Sequence, residues 1–304
     1  MDLSGKVAIV TGSGRGLGLA YARMLAAHGA RVVVNDVDSD TADAAVGAIR
    51  DAGGTAVAEV VPVGTSEAAQ ALVDRAVTEF GGLDVLVNNA GILRDATLWK
   101  MTDEQFDAVI TTHLRGTFTC TRAAATWMRT NKVPGRIICV GSPTGQVGNF
   151  GQTNYAAAKA GIVGMVRTWA LELARAQITV NAVVPVAATA MTETMPFLKP
   201  YVDALENGDE LPRFARQELG FGTAQDAAGL VAFLASDAAA DITGQAIGIG
   251  GDRLALWSHP AEIAIEFADG TGWSADAIAD AWPAAFAAHQ QTVGQQLPSP
   301  ESAQ

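Results

Sequence analysis

Tyr155 and Lys159 stand four positions apart in "NYAAAK", so a helix through them carries a phenol and an ammonium on one face. A cation that close lowers a phenol's pKa, and a phenol poised near neutrality can exchange a proton with a substrate oxygen. Alone, Tyr-x-x-x-Lys recurs by chance in helices. Ser142 adds weight, because it ends the apolar run "RIICVG" thirteen residues earlier and brings a second hydroxyl to bear on the same oxygen. A histidine, His113 in "TTHLRGTF", lies among Phe106, Val109, Ile110, Leu114 and Phe118, which recur at helical spacing. A lone histidine in that setting is more often a polar residue satisfied at a helix surface or bend than a catalytic group.

A second cluster suits a phosphate. "TGSGRGLG" (residues 11–18) follows an apolar run and opens a helical pattern, the context in which a glycine pattern becomes a dinucleotide loop. Gly12, Gly16 and Gly18, with Arg15 and Leu17 between them, let the backbone turn tightly and approach a pyrophosphate at the positive end of the helix. Asp36 follows Gly18 by eighteen residues, where a carboxylate accepts bonds from the adenosine ribose hydroxyls and repels a 2′-phosphate. That favours NAD over NADP. Arg15 pulls the other way, since a guanidinium in the loop can meet such a phosphate.

These residues need a scaffold that brings strand ends together. Short β-branched runs, "KVAIVTG", "ARVVVND", "TAVAEVV", "DVLVNNAG", "GRIICVG", "ITVNAVVP" and "GQAIGIGG", alternate with helical patterns at 16–28, 39–52, 66–80, 102–130, 154–175 and near 224–235. Continuously apolar strands separated by helices predict an α/β fold, a doubly wound parallel sheet of the Rossmann type covered on both faces. Ligands of such sheets bind at the carboxyl ends of the strands, where the loops after 11, 36, 88, 141 and 184 carry the residues named above. Residues 189–218 break the alternation and read as a lid, with Met191, Met195, Phe197 and Leu198 as an apolar cover. The expected main domain is 1–251. Beyond it, 252–304 carries seven acids against one base and three of the six tryptophans, and Ser274 caps a helix in "SADAIADAWPAAF". This acidic C-terminal helical annex is expected to pack on the body or on a partner subunit, since large aromatics are rarely left in water.

Composition removes other classes. A formal charge of −12 without a basic stripe argues against nucleic acid. No apolar run approaches the ~20 residues of a membrane span, and the start "MDLSGKVAIVTG" shows no secretory pattern, so a cytoplasmic protein is expected. Cys120 and Cys139 are too few for a disulfide framework or a zinc site, and no metal is expected. A small-molecule substrate is the expected partner.

With "TGSGRGLG", "NNAG" (88–91), Ser142 and "YAAAK" in this order and spacing, the chain resembles the short-chain dehydrogenase/reductase family over residues 5 to 251. "NNAGILRDATL", "HLRGTF" and "GNFGQTNYAAAK" are similar to its (3R)-hydroxyacyl-CoA dehydrogenase branch, whose relatives act on acyl-CoA or steroid alcohols. The resemblance implies an oxidoreductase with a lipophilic substrate, assembled as a homodimer or homotetramer. It implies Tyr155 as general acid/base, Lys159 as its partner and as a ligand of the cofactor ribose, and Ser142 as the hydroxyl orienting the substrate oxygen. Asn88, Ala90 and Gly91 would line the cofactor, with Val184, Pro185 and Thr189 flanking the nicotinamide. Three positions depart from the family: Gly64 replaces an aspartate set against the adenine, Val186 replaces a glycine after Pro185, and His113 stands where most members have the asparagine of a catalytic tetrad. That puts His113 at a functional position, by its side chain or by its backbone. An NADPH-dependent 3-ketoacyl reductase is the competing enzyme, and a cofactor-binding scaffold without turnover the competing class.

Overall fold

In the computed structural model, residues 1–188, 198–268, 270 and 272–294 are described. Thr189, Met191, Met195 and Phe197 lie outside them. Val7–Val10 (β1), Arg31–Asp36 (β2), Thr55–Val60 (β3), Val85–Asn88 (β4), Arg136–Val140 (β5), Thr179–Pro185 (β6) and Ala246–Gly250 (β7) pair in parallel in the order β3-β2-β1-β4-β5-β6-β7. The order reverses at β1 and β4, and the crevice between their ends is where such sheets take ligands. An eighth strand that no sequence pattern announced, Arg253–Trp257 (β8), turns back antiparallel on β7. The first residues after 251 therefore extend the sheet.

Gly16–Ala27 (α1), Ser39–Asp51 (α2) and Ser66–Phe80 (α3) match the helical patterns closely. The long pattern at 102–130 is divided: Asp103–Val109 (α4) passes through a π-helical turn, Ile110–Arg115, into Gly116–Asn131 (α5). Next come the short Thr144–Val147 (α6), the 21-residue Thr153–Leu173 (α7), Lys199–Glu206 (α8), Ala224–Ala235 (α9) and Ala275–Ala285 (α10). Polar caps fix several starts. Asp38 accepts from the Thr41 N–H at 2.8 Å, Thr102 forms a capping box with Gln105, Thr223 forms one with Asp226, and Ser274 accepts from Ala277.

Two cores cover the two sheet faces. One joins Tyr21, Leu25, Ile49 and Leu230 to Val10, Val32 and Val34, and the other joins Leu72, Met128, Ile162 and Val166 to Ile9, Leu86 and Val180. Sealed on both faces, the sheet presents a rigid row of strand ends. The described part of the 189–218 segment makes a small core of its own with Leu198, Val202, Leu211, Ala215, Leu219 and Phe221. Leu198 belongs to that core, 4% exposed, so it packs inside the segment. Among the described residues no helix is long and apolar enough to cross a membrane.

Candidate active site

The glycine loop is built to admit something bulky. Gly12 and Gly16 sit at φ +59° and +58°, and a Cβ on Gly12 would strike the Ala90 backbone, so glycine lets the β1 and β4 loops touch. A Cβ on Gly18 would strike the Gly12 carbonyl, which fixes α1 tightly beneath the loop. Unlike α2 and α3, α1 starts without a side-chain cap, its N-cap being the exposed Arg15, so its first N–H groups remain for a ligand. Leu17 packs against the core below. At the tip of β2, Asp36 accepts from the Gly14 N–H at 3.1 Å and the Val37 N–H at 2.8 Å, which holds its carboxylate beside the loop. Asp38 is held below the usual carboxylate range, mainly by its bonds from Thr41 and in part by the Arg15 charge. Arg15 therefore faces an acidic corner. An uncapped helix start with a carboxylate held beside the loop fits a nicotinamide dinucleotide.

Asn88 and Asn89 divide their labour in a way the motif does not reveal. The buried Asn88 amide donates to the Thr121 hydroxyl at 2.9 Å, away from the loop. It is Asn89 that holds the loop, donating to the carbonyls of Thr11 and Gly12 at 3.0 and 2.9 Å. Thr11 in turn accepts from the N–H groups of Asn89 and Ala90. Asn89 and Thr11 are positioning residues that a reading of glycines and carboxylates passed over, although "NNAG" contained the signal.

Gly91 and His113 are also a matched pair. A Cβ on Gly91 would overlap the imidazole, so only glycine lets the chain pass over the ring. His113 is 2% exposed and lies in the π-helical turn, a distortion common at functional sites. Its Nε2 lies 3.0 Å from the Ile92 nitrogen and 2.8 Å from the Ile92 oxygen, so either neutral tautomer finds a backbone partner. The ring meets Tyr155 edge-on, centroids 5.2 Å apart. Burial, helped by the Lys159 charge, pushes its pKa down to about 3. The imidazole is neutral throughout the physiological range.

Ser142 follows β5 and is buried, while α7 carries Tyr155 and Lys159 one turn apart. Lys159 donates to the Val140 carbonyl at 2.6 Å, and its Nζ lies 5.5 Å from the centre of the Tyr155 ring. The Lys159 cation was expected to pull the phenol down, yet burial pushes the phenol up, against the opposing bond from the Ser142 hydroxyl. The physical reason is desolvation, the largest effect on the phenol, which also drives the 3% exposed Lys159 down to about 7 and so weakens the cation at neutral pH. Asp95 raises the phenol further. Asp95 escaped the sequence reading, as did Gln152, which donates to Asp95 at 2.8 Å and accepts from Thr144 and Asn149. These bonds fasten the loop between Ser142 and Tyr155.

Pro185 ends β6 opposite Ile249. On that side a cavity of about 360 Å³ is lined by Pro143, Val147, Val184, Val186, Leu219 and Trp257, among others. Val186 is thus a wall of this apolar space. Gly64 lies at φ +117°, which side chains rarely adopt, so the aspartate common at this position would be strained here.

A family model described as short chain dehydrogenase matches residues 6–196. The chain belongs to the short-chain dehydrogenase/reductase family. It is 43% identical over 284 residues to hydroxyacyl-CoA dehydrogenase ChsB1 of Mycobacterium tuberculosis, covering 90% of this chain and 86% of that one. It is 41% identical to the 3-oxoacyl-[acyl-carrier-protein] reductase FabG of Thermotoga maritima, covering 83% and 98%. It is 44% identical over 211 residues to the peroxisomal hydratase-dehydrogenase-epimerase of Saccharomyces cerevisiae, where the match spans 66% of this chain and only 23% of that protein. Among solved structures, a short chain dehydrogenase from Mycobacterium avium superposes with a TM-score of 0.80 at 37% identity, covering 93% of this chain and 95% of that one. The expected family and fold class are thereby confirmed, and the chain is an enzyme of the oxidoreductase class.

Proposed function

We propose that this short-chain dehydrogenase oxidises a secondary alcohol to a ketone with NAD, the alcohol being a 3-hydroxyacyl-CoA or, failing that, a hydroxysteroid. The observation that carries the reading is the Ser142 hydroxyl bonded to the Tyr155 phenol, with Lys159 one turn along α7 and Asp36 held beside the glycine loop; Pro143, next to Ser142, lines the cavity. The name of the mycobacterial relative supports the acyl-CoA class. Ser142 and Tyr155 hold the substrate hydroxyl between them. Tyr155 takes its proton as the carbonyl forms, and Lys159 keeps positive charge beside the phenolate. Gly12, Gly16, Gly18, Arg15 and Leu17 would cradle the pyrophosphate, Asp36 would take the adenosine ribose, Lys159 and Tyr155 would take the nicotinamide ribose, and Ala90, Gly91 and Pro185 would flank the ring, with Asn88 tying β4 behind it; Thr189, the other residue expected there, lies outside the described residues. Bound NAD supplies the hydride acceptor and a positive ring whose field lowers the phenol's pKa. His113 serves by shape, filling the space under Gly91 and against Tyr155.

An NADPH-dependent 3-ketoacyl reductase is the second reading, favoured by Arg15 and by the Thermotoga relative. The acidic corner of Asp36 and Asp38 opposes it. We propose further that the chain forms a homo-oligomer, since Leu254, Leu256, Phe267 and Trp282 are exposed large apolar side chains among the described residues after 251. The test is nicotinamide absorbance with acyl-CoA, steroid and short alcohols, each with both cofactors. Oxidation of hydroxyacyl-CoA with NAD upholds the first reading, and exclusive ketoacyl reduction with NADPH replaces it.

A further inference from the structure

The cavity lined by Pro143 and Val147, just after Ser142 in the chain, has one wall from an unexpected source. Thr292 and Gly294 line it, although they lie more than a hundred residues beyond Tyr155 and Val184 in the chain. The Gly294 N–H donates to the Val147 carbonyl at 2.7 Å, and Val147 ends α6, the short helix that follows Ser142. Gly294 sits at φ +82°, so the chain turns there in a conformation suited to glycine. Upstream, α10 buries none of its residues, which makes the return to Val147 a specific contact of the extension with the body. Val184, Val186, Leu219, Arg253 and Trp257 also line this cavity.

We propose that residues 292–294 are a wall of the substrate site and set the size of the lipophilic group it accepts. This rests on the functional reading above only for the class of substrate. Because Thr292 borders the cavity and is also exposed to solvent, a side chain placed there is reachable by reagent from outside and by substrate from within.

Thr292→Cys makes this measurable. The two native thiols are buried, Cys120 at 3% and Cys139 at 0% exposure, and burial pushes both up to about 12, so a maleimide selects the introduced thiol. A long-chain 3-hydroxyacyl-CoA is expected to slow alkylation of that thiol about fivefold or more, and a 3-hydroxybutyryl-CoA to leave it within about twofold. Thr292→Trp is expected to shift the ratio of kcat/KM for the long over the short substrate about tenfold toward the short one. If the wild type oxidises no hydroxyacyl-CoA, the alkylation is run with 1-decanol and with a steroid alcohol: slowing by either leaves the wall in place and overturns only the acyl-CoA class. Alkylation unaffected by every one of these ligands, or an unchanged substrate ratio in Thr292→Trp, overturns the wall.

Discussion

Replacing His113 by asparagine separates a neutral, space-filling imidazole from a proton relay. The ring is held at about 3 by burial, against an ordinary value of 6.5. Its folded value is below its unfolded one, so its stabilising effect is complete above the unfolded pKa and is lost as pH falls through 6.5 toward about 3. At about pH 5 the unfolded chain has taken up the proton and the folded chain has not, which costs about 2 kcal/mol relative to about pH 8. A folded value one unit higher would hardly change this figure, because either lies well below 5. For a chain of this size about 2 kcal/mol corresponds to a drop of roughly 3–6 °C in Tm. The assay is thermal melting of wild type and His113→Asn between about pH 5 and 8, with the wild type expected to lose about that much more than the variant. Kinetically, the variant gives up an edge-on contact with Tyr155 worth about 0.5–1.5 kcal/mol, so kcat should stay within about tenfold. The pH profile should keep its shape, since a group that is neutral throughout cannot supply a limb. Parallel melting curves would refute the buried neutral imidazole, and loss of a limb near neutrality would make His113 a relay.

Tyr155→Phe should lower kcat by about a hundredfold or more while NAD affinity, read by calorimetry, hardly changes, because the phenyl ring keeps the shape and loses the proton. Wild-type NAD use should exceed NADP use in kcat/KM by at least about tenfold, and Asp36→Ala should narrow that gap, since the carboxylate that repels a 2′-phosphate is gone; equal use by the wild type would show that Arg15 overrides Asp36. Gly91→Ala should lower stability by about 2 kcal/mol or more through overlap with the imidazole, and His113→Ala in the same chain should recover much of that loss, as denaturant melts can measure. Truncation after Gly251 removes β8 along with the extension and exposes the β7 edge, so Tm should fall and sedimentation change; an unchanged profile would mark the extension as a loose tail.

The parallel sheet was legible because its central strands β1, β2, β4, β5 and β6 are buried on both faces and so read as nearly unbroken apolar runs. β8 was not, because its apolar run is only Leu254–Trp257 without a β-branched residue, Leu254 and Leu256 are exposed at the sheet edge, and no polar alternation marks it as a half-buried strand. The π-helical turn escaped for a similar reason. One inserted residue leaves apolar spacing nearly intact, so 102–130 read as a single helix although the ladder changes at Ile110.

In the site, residues with unusual chemistry or no side chain announced themselves, and those acting through ordinary hydrogen bonds did not. Gly12, Asp36, Ser142, Tyr155 and Lys159 stand out by their joint order and spacing at the strand ends. Asn89, Thr11, Asp95 and Gln152 are common loop residues whose importance lies in partners up to 79 positions away, a separation that a linear pattern does not encode. The pKa balance was out of reach for a deeper reason. Spacing showed that Lys159 adjoins Tyr155, and from adjacency alone the cation should win. Adjacency says nothing of desolvation, which acts on both groups and weakens the cation meant to offset it. The lysine can stabilise a phenolate only to the extent that it stays charged. Above about pH 7 that fraction falls, and in the proposed reaction an oxidised nicotinamide would supply the further positive charge that the phenolate needs.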